Sequence, residues 1–221
     1  MRKVLRIGSR PSRLAIKQAE EISRSFPWVD FEIIAIPTRG DKDKITPISR
    51  VEGSDFFTRE IDSALLNGRI DLVVHSSKDL PDKIPQGLKP VIEIKSISPF
   101  DALVSKNNLK LFQLPLGSRV GTSSKRRKDE LMLKRPDLNI VDIRGDIQER
   151  LALLDSGRID ALLVAHAALI RLGLENKAAE IFPLEVFKTH PKQGGLTLIA
   201  REENWQEVKS ILSAPAPATP N

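Results

Sequence analysis

The tetrapeptide Gly-Arg-Ile-Asp occurs twice, at residues 68–71 and 157–160, and both copies stand in the same local setting. Ahead of the first, Phe57, Ile61, Ala64 and Leu65 recur at helical spacing, so the stretch predicts a short helix with one apolar face. Gly68 follows, a residue that can take the left-handed conformation that stops a helix. Behind it comes an unbroken apolar run, Leu72 to Val74. Such a run is what a strand buried on both faces looks like, as in a parallel α/β sheet. Leu153-Leu154-Asp155-Ser156-Gly157 and the run Leu162 to Val164 repeat the scheme. Arg119-Val120-Gly121-Thr122 likewise parallels Arg6-Ile7-Gly8-Ser9: strand, glycine turn, hydroxyl residue, helix. A unit met twice predicts two α/β lobes of one architecture, joined by two crossovers that act as a hinge, with a cleft between them. Residues 1–95 with 195–212 are expected to form lobe 1 and 100–189 lobe 2. The Pro/Ala-rich 213–221 is expected to be a disordered tail.

The remaining elements follow the same reading. Val4 to Ile7, Phe31 to Ile36, Pro90 to Ile94 and Leu196 to Ile199 predict strands. Leu14, Ala15, Gln18, Ala19 and Ile22 share one side of a helix, and Glu203 to Leu212 reads as a closing one. Thr38 to Asp55 is polar and contains glycine, which predicts a mobile loop.

Charge narrows the partners. The 221 residues carry 35 basic and 29 acidic side chains, a net +6, which favours an anionic ligand. Tyrosine is absent and aromatics are few, poor material for stacking on bases, so nucleic acid is not expected. No run approaches the length of a membrane helix and no signal peptide is evident, so a cytoplasmic protein is expected. There is no cysteine, which removes disulfides, thiolate metal sites and thioether anchors. His75, His166 and His190 show no ligand spacing, and no metal is expected.

Three turns place cations at or near a helix start, against the helix dipole: Arg10 and Arg13; Lys125, Arg126 and Arg127; Arg144 and Arg150. With the free backbone N–H groups of a helix start and the hydroxyls of Thr122, Ser123 and Ser124, they suit carboxylates or phosphates. Lys78 and Asp79 follow the strand 72–74, at the sheet edge where ligands bind. Asp79 is the one carboxylate expected among these cations. An ionised aspartate inside a basic collar suits a substrate with acidic arms that develops positive charge at its centre.

These residues resemble a family. Arg6-Ile7-Gly8-Ser9-Arg10-Pro11-Ser12-Arg13-Leu14-Ala15, Thr38-Arg39-Gly40-Asp41, His75-Ser76-Ser77-Lys78-Asp79-Leu80-Pro81, Val120-Gly121-Thr122-Ser123-Ser124-Lys125-Arg126-Arg127 and Arg144-Gly145-Asp146-Ile147-Gln148-Glu149-Arg150 are similar to the motifs of porphobilinogen deaminase, also called hydroxymethylbilane synthase. Arg171-Leu172-Gly173-Leu174 and Gln193-Gly194 continue the likeness, which runs in order from Val4 to about Leu212. The resemblance implies an α/β fold of two lobes like those of periplasmic binding proteins. It implies an enzyme that joins four porphobilinogen units with loss of ammonia into a linear tetrapyrrole of haem biosynthesis. Asp79 would be the catalytic carboxylate, stabilising the azafulvenium-type cation left when ammonia departs. Arg10, Arg126, Arg127, Arg144, Arg150 and Arg171 would hold acetate and propionate arms, and Ser12, Gln18, Lys78, Thr122, Ser123, Ser124 and Gln193 would complete the pocket.

The sequence departs from the family at three places. The family primes chain growth with a dipyrromethane cofactor held by a cysteine of a third, α+β domain. Here there is no cysteine, and that domain is expected to be absent, so dipyrromethane would be bound noncovalently or through a separate chain supplying the missing part. The family's loop reads Gly-Gly-Lys-Gly before Leu-Phe; here Glu52-Gly53-Ser54-Asp55 precedes Phe56-Phe57. The family's Val-Gly-Gln-Gly-Ala is matched only in part by His190-Pro191-Lys192-Gln193-Gly194-Gly195. A non-catalytic binding protein for a pyrrole or another polycarboxylate is the alternative expectation.

Overall fold

The elements run β1 (Val4–Ser9), α1 (Arg13–Ser25), β2 (Asp30–Ala35), the single-turn α2 (Arg39–Lys42), α3 (Arg59–Leu66), β3 (Leu72–Ser76) and β4 (Leu88–Ile94). They continue with β5 (Asp101–Ser105), β6 (Arg119–Gly121), α4 (Lys125–Lys134), β7 (Asn139–Val141), α5 (Ile147–Asp155), β8 (Ala161–Ala165), α6 (His166–Leu172) and β9 (Glu180–Phe182). The last are β10 (Leu196–Arg201) and α7 (Trp205–Ser213). The structure is a computed structural model, and the residues it describes are 4–43, 46, 51, 54–81 and 83–214. The chain divides into two compact units: Met1–Lys42, Gly53–Ile94 and Leu196–Asn221 form one, Asp43–Glu52 and Lys95–Gly195 the other.

In the first unit the sheet order is β2-β1-β3-β10-β4. β1 pairs in parallel with β2 and β3, and β10 pairs antiparallel with β3 and β4. Alternate side chains of β3 feed two cores, as a period of two requires. Leu72 and Val74 join Leu5, Ile7, Ile22, Leu198 and Val208 on the α1 and α7 side. Val73 joins Ile61, Leu65, Ile70 and Ile199 on the α3 side. The sheet is therefore covered on both faces, which explains why the run 72–74 shows no polar alternation.

The second unit repeats the scheme as β7-β6-β8-β5-β9. β6 is parallel to β7 and β8, and β5 is antiparallel to β8 and β9. Its core gathers Leu103, Val120, Leu131, Leu163, Phe182 and Phe187, with the two phenylalanine rings stacked 4.9 Å apart.

The duplicated tetrapeptide forms the same structure twice. Arg6 donates from its backbone N and its Nε to Asp71 Oδ2, at 2.9 and 3.0 Å, and from Nη2 to Asp71 Oδ1 and the Gly68 carbonyl, each at 2.9 Å. Arg119 donates to Asp160 and the Gly157 carbonyl through the same atoms at 2.8 to 3.0 Å. Gly68 and Gly157 stand at φ 69° and 74°, a conformation that costs glycine little.

Two expectations change. The start of the stretch 38–55 is not a solvated loop. Asp41 accepts bonds from the Thr38 N–H at 2.9 Å and the Thr38 hydroxyl at 2.8 Å, which closes α2 and buries Thr38. Residues 44–45, 47–50, 52 and 53 of that stretch lie outside the described residues. At the other end α7 runs through Ser213, one residue into the predicted tail, and 215–221 lie outside the described residues. No helix among the described residues is long and apolar enough to cross a membrane.

Candidate active site

The carboxyl ends of parallel strands are where open α/β sheets bind ligands. In the first unit β1 delivers Arg10 there, and β3 delivers a short 3-10 turn, Ser77–Asp79. Three successive residues at this strand end each face a different element, two of them through hydrogen bonds. His75 faces Asp62 of α3, Nε2 to Oδ1 3.5 Å, Ser76 accepts a bond from Gln18 Nε2 of α1 at 2.9 Å, and the Ser77 and Thr197 hydroxyls lie 2.8 Å apart. The turn beyond is thereby held on a rigid base. Lys78 is half-buried and Asp79 exposed, and among the described residues the Asp79 carboxylate makes no hydrogen bond or ion pair.

Arg10 is not free. Its guanidinium pairs with Asp41, with Nε 3.0 Å from Oδ1, and lies 4.4 Å from the centre of the Phe57 ring. Burial pushes the Asp41 carboxyl up, but the bonds from Arg10 and Thr38 outweigh it and leave Asp41 below the usual carboxylate range. Ser12 is the N-cap of α1, its hydroxyl accepting the Ala15 N–H at 3.3 Å.

In the second unit the hydroxyl turn after β6 is largely engaged in bracing the fold. The buried Ser123 hydroxyl donates to the Ile143 carbonyl and accepts the Ile143 N–H at 3.0 Å. Thr122 accepts the Ser124 N–H at 3.3 Å. Ser124 caps α4 by position, without a side-chain bond to the helix. The two arginines that open α4 then diverge. Arg126 is exposed, with Nη1 3.2 Å from the Thr189 carbonyl. Arg127 is buried and forks onto Asp101, with Nε to Oδ2 at 3.0 Å and Nη2 to Oδ1 at 2.6 Å. Gln193 is buried too, and its Nε2 donates to Asp101 Oδ1 at 2.9 Å and to the carbonyls of Phe100 and Pro99. Arg171, in the last turn of α6, donates from Nη2 to the Gly194 carbonyl at 2.9 Å.

Two further arginines stand around the start of α5, Arg144 before it and Arg150 within it. Arg144 donates from Nη2 to the Asp43 carbonyl at 2.6 Å, and Arg150 from Nε to the Gly145 carbonyl at 2.9 Å. Neither forms an ion pair among the described residues. Arg150 keeps some accessible surface, yet protein surrounds its guanidinium closely. Burial, with repulsion from Arg127 and Arg144, holds its pKa down to about 10. Two buried donors of this segment, Arg144 Nε and Gln148 Nε2, have no hydrogen-bond partner. Buried donors without an acceptor are uncommon in folded proteins, and here two stand close in sequence beside arginines.

The structure thus puts Arg150 within electrostatic reach of Arg127 and Arg144 and gives Arg127, Gln193, Ser123, Ser12 and Gln18 partners inside their own unit. Sequence reasoning missed Asp101, Asp41 and Gln148. Asp41 and Gln148 lie inside recognisable motifs, and only their cationic neighbours could have marked them. Asp101 is separated from Arg127 by 26 positions, so no local pattern joins the two.

These features define a two-unit α/β protein with a basic site in its second unit, built like the binding proteins of solute transport. The methionine-binding protein MetQ is similar over 95% of this chain and 88% of its own, at TM-score 0.55 and 16% identity. An amino acid transporter substrate-binding protein from Streptococcus pneumoniae, bound to L-arginine, aligns over 95% and 85%, at TM-score 0.51 and 14% identity. That likeness is one of fold alone. The family profile described as "Porphobilinogen deaminase, dipyromethane cofactor binding domain" matches residues 5–209. Porphobilinogen deaminase of Geotalea uraniireducens is 38% identical over 95% of this chain and 67% of its own length. The chloroplastic enzyme of Euglena gracilis is 41% identical over 95% of this chain and 46% of its own. The chain belongs to the porphobilinogen deaminase family, a family of transferases in porphyrin biosynthesis.

Proposed function

We propose that this chain makes hydroxymethylbilane, condensing four porphobilinogen molecules with loss of ammonia. The observation that carries the reading is the group formed by Arg144, Arg150 and Arg127, with two buried donors that lack acceptors. Acetate and propionate arms supply the missing countercharge. Arg144, Arg150 and Arg126 are the residues proposed to hold those arms directly, with Arg10, Arg171, Lys78, Thr122 and Ser124 at the margin. Ser12, Gln18, Ser123, Arg127 and Gln193 serve the same ligand by fixing the walls. Asp79 is the proposed catalytic carboxylate. Its exposure at a rigid strand end suits a group that must reach a pyrrole N–H and steady the cation formed as ammonia leaves.

The acidic arms of a dipyrromethane primer fit the same donors. When bound, that group starts chain growth. With no cysteine among the 221 residues, a thioether to this chain does not form, so the primer is proposed to be held noncovalently or with the help of a separate polypeptide. The acidic sequence Glu52-Gly53-Ser54-Asp55 and the missing thiol favour a second reading, a non-catalytic binder of a pyrrole polycarboxylate.

Incubation with porphobilinogen, with and without added hydroxymethylbilane as a source of primer, separates the two. Uroporphyrin recovered after oxidation beyond that from the added hydroxymethylbilane alone, and lost in Asp79→Ala, supports the enzyme. Saturable binding that weakens in Arg144→Met, with no product in either incubation, supports the binder.

A further inference from the structure

Gln148 occupies the first turn of α5, four residues after Arg144 and two before Arg150. The helix start does not need it. Asp146 caps α5 by accepting the Glu149 N–H at 2.9 Å, and Glu149 returns a carboxylate oxygen to the Asp146 N–H at 2.8 Å. Gln148 Nε2 is nevertheless buried and without a hydrogen-bond partner, as is Arg144 Nε in the same segment. Folded proteins leave few such atoms, because a buried donor without an acceptor destabilises the fold. Two within five residues, in a segment whose arginines form no ion pair among the described residues, mark the place of an absent acceptor. A neutral amide is also the donor best suited to this place. It adds hydrogen bonds without adding charge to a group that already repels itself.

We infer that Gln148 is a further carboxylate-binding residue, its side-chain amide donating to the acidic arm that Arg144 holds. The inference rests on the anion-binding reading above and adds a residue to it. The acceptor it requires is a carboxylate with both oxygens available, one shared with the Arg144 guanidinium and one with the amide. A glutamate at this position would place that carboxylate in the site permanently and close it to ligand.

The test is equilibrium dialysis and thermal denaturation of the intact chain, Gln148→Leu and Gln148→Glu, with citrate and with porphobilinogen as separate probes. Gln148→Leu is expected to bind both probes about tenfold more weakly, the size of one charge-assisted hydrogen bond. Its ligand-free melting temperature is expected to stay level or rise, because the substitution removes an unmatched donor. Gln148→Glu is expected to melt higher than the parent chain and to bind neither probe. Parental affinity in Gln148→Leu overturns the inference, as does a fall in its ligand-free melting temperature, which would mark a structural role. Citrate binding that depends on Gln148, without any binding of porphobilinogen, supports the inference and contradicts the proposed substrate. Turnover of porphobilinogen with parental affinity in Gln148→Leu sinks the inference and leaves the proposed function standing. Binding of neither probe by the parent chain contradicts both.

Discussion

Arg6 closes on Asp71 across 65 residues of sequence, with Nε and Nη2 on the two carboxylate oxygens at 3.0 and 2.9 Å. Arg119 and Asp160 reproduce the pair in the second unit. In each case the arginine opens or lies in a central strand, and the aspartate ends the glycine turn that feeds the next. The pair therefore ties the start of the neighbouring strand to the strand it joins, and sets the register of β3 beside β1 and of β8 beside β6.

This pair makes acid stability predictable. Burial raises the Asp71 carboxyl, but the bonds from the Arg6 side chain and backbone outweigh it, so the folded-state pKa lies below the unfolded one. The stabilisation it gives is complete above the unfolded value, about 3.9, and disappears as pH falls through the folded value. Asp71→Asn is expected to cost about 1–2 kcal/mol at pH 7, allowing for the partly exposed Arg6, and progressively less as pH falls below the unfolded value. Urea denaturation across that acid range checks it. Asp160, lowered chiefly by its bond from Arg119, acts in the same direction.

Arg150 is expected to behave in the opposite way. Its pKa is depressed in the folded chain to about 10, so its charge opposes folding at every pH below that value. The penalty fades as pH rises from about 10 toward the ordinary, higher arginine value of the unfolded chain. Arg150→Met is expected to stabilise the ligand-free chain by about 1–3 kcal/mol at pH 7 while weakening polycarboxylate binding. Thermal melts with and without porphobilinogen read both effects, and a variant that melts lower without ligand contradicts the account.

Asp101 is the opposite kind of residue, a buried acid whose loss strands a buried cation. Asp101→Ala removes the countercharge of Arg127 and an acceptor of Gln193, and is expected to destabilise the chain by about 3–5 kcal/mol. Arg127→Met placed on top of it is expected to restore part of that loss. A double-mutant cycle by denaturant unfolding measures the coupling, and strict additivity would contradict a direct pair.

Much of the fold was legible in the sequence because its signals are local. The runs 72–74 and 162–164 became β3 and β8, and the repeated Gly-Arg-Ile-Asp became twin turns with the same bonds. The strand β10 was legible but its antiparallel direction was not, and β5 was not legible at all. A strand buried on both faces carries the same apolar pattern whichever way its neighbour runs. The basic helix starts drew attention to these arginines, but the pattern could not say which of them take a carboxylate partner inside the fold. Arg10 and Arg127 meet Asp41 and Asp101 only through the tertiary fold, whereas Arg144 and Arg150 meet no such partner among the described residues.

Asp79 is proposed to steady the cation formed when porphobilinogen loses ammonia and to contribute nothing to the fold. Ammonia release from porphobilinogen, measured on the parent chain and on Asp79→Asn with binding and melting temperature recorded on the same samples, tests it most directly. The account predicts a loss of release of at least about a hundredfold, with affinity within a few fold and stability within about 0.5 kcal/mol. Undiminished release from Asp79→Asn, or a loss explained by unfolding, would contradict it.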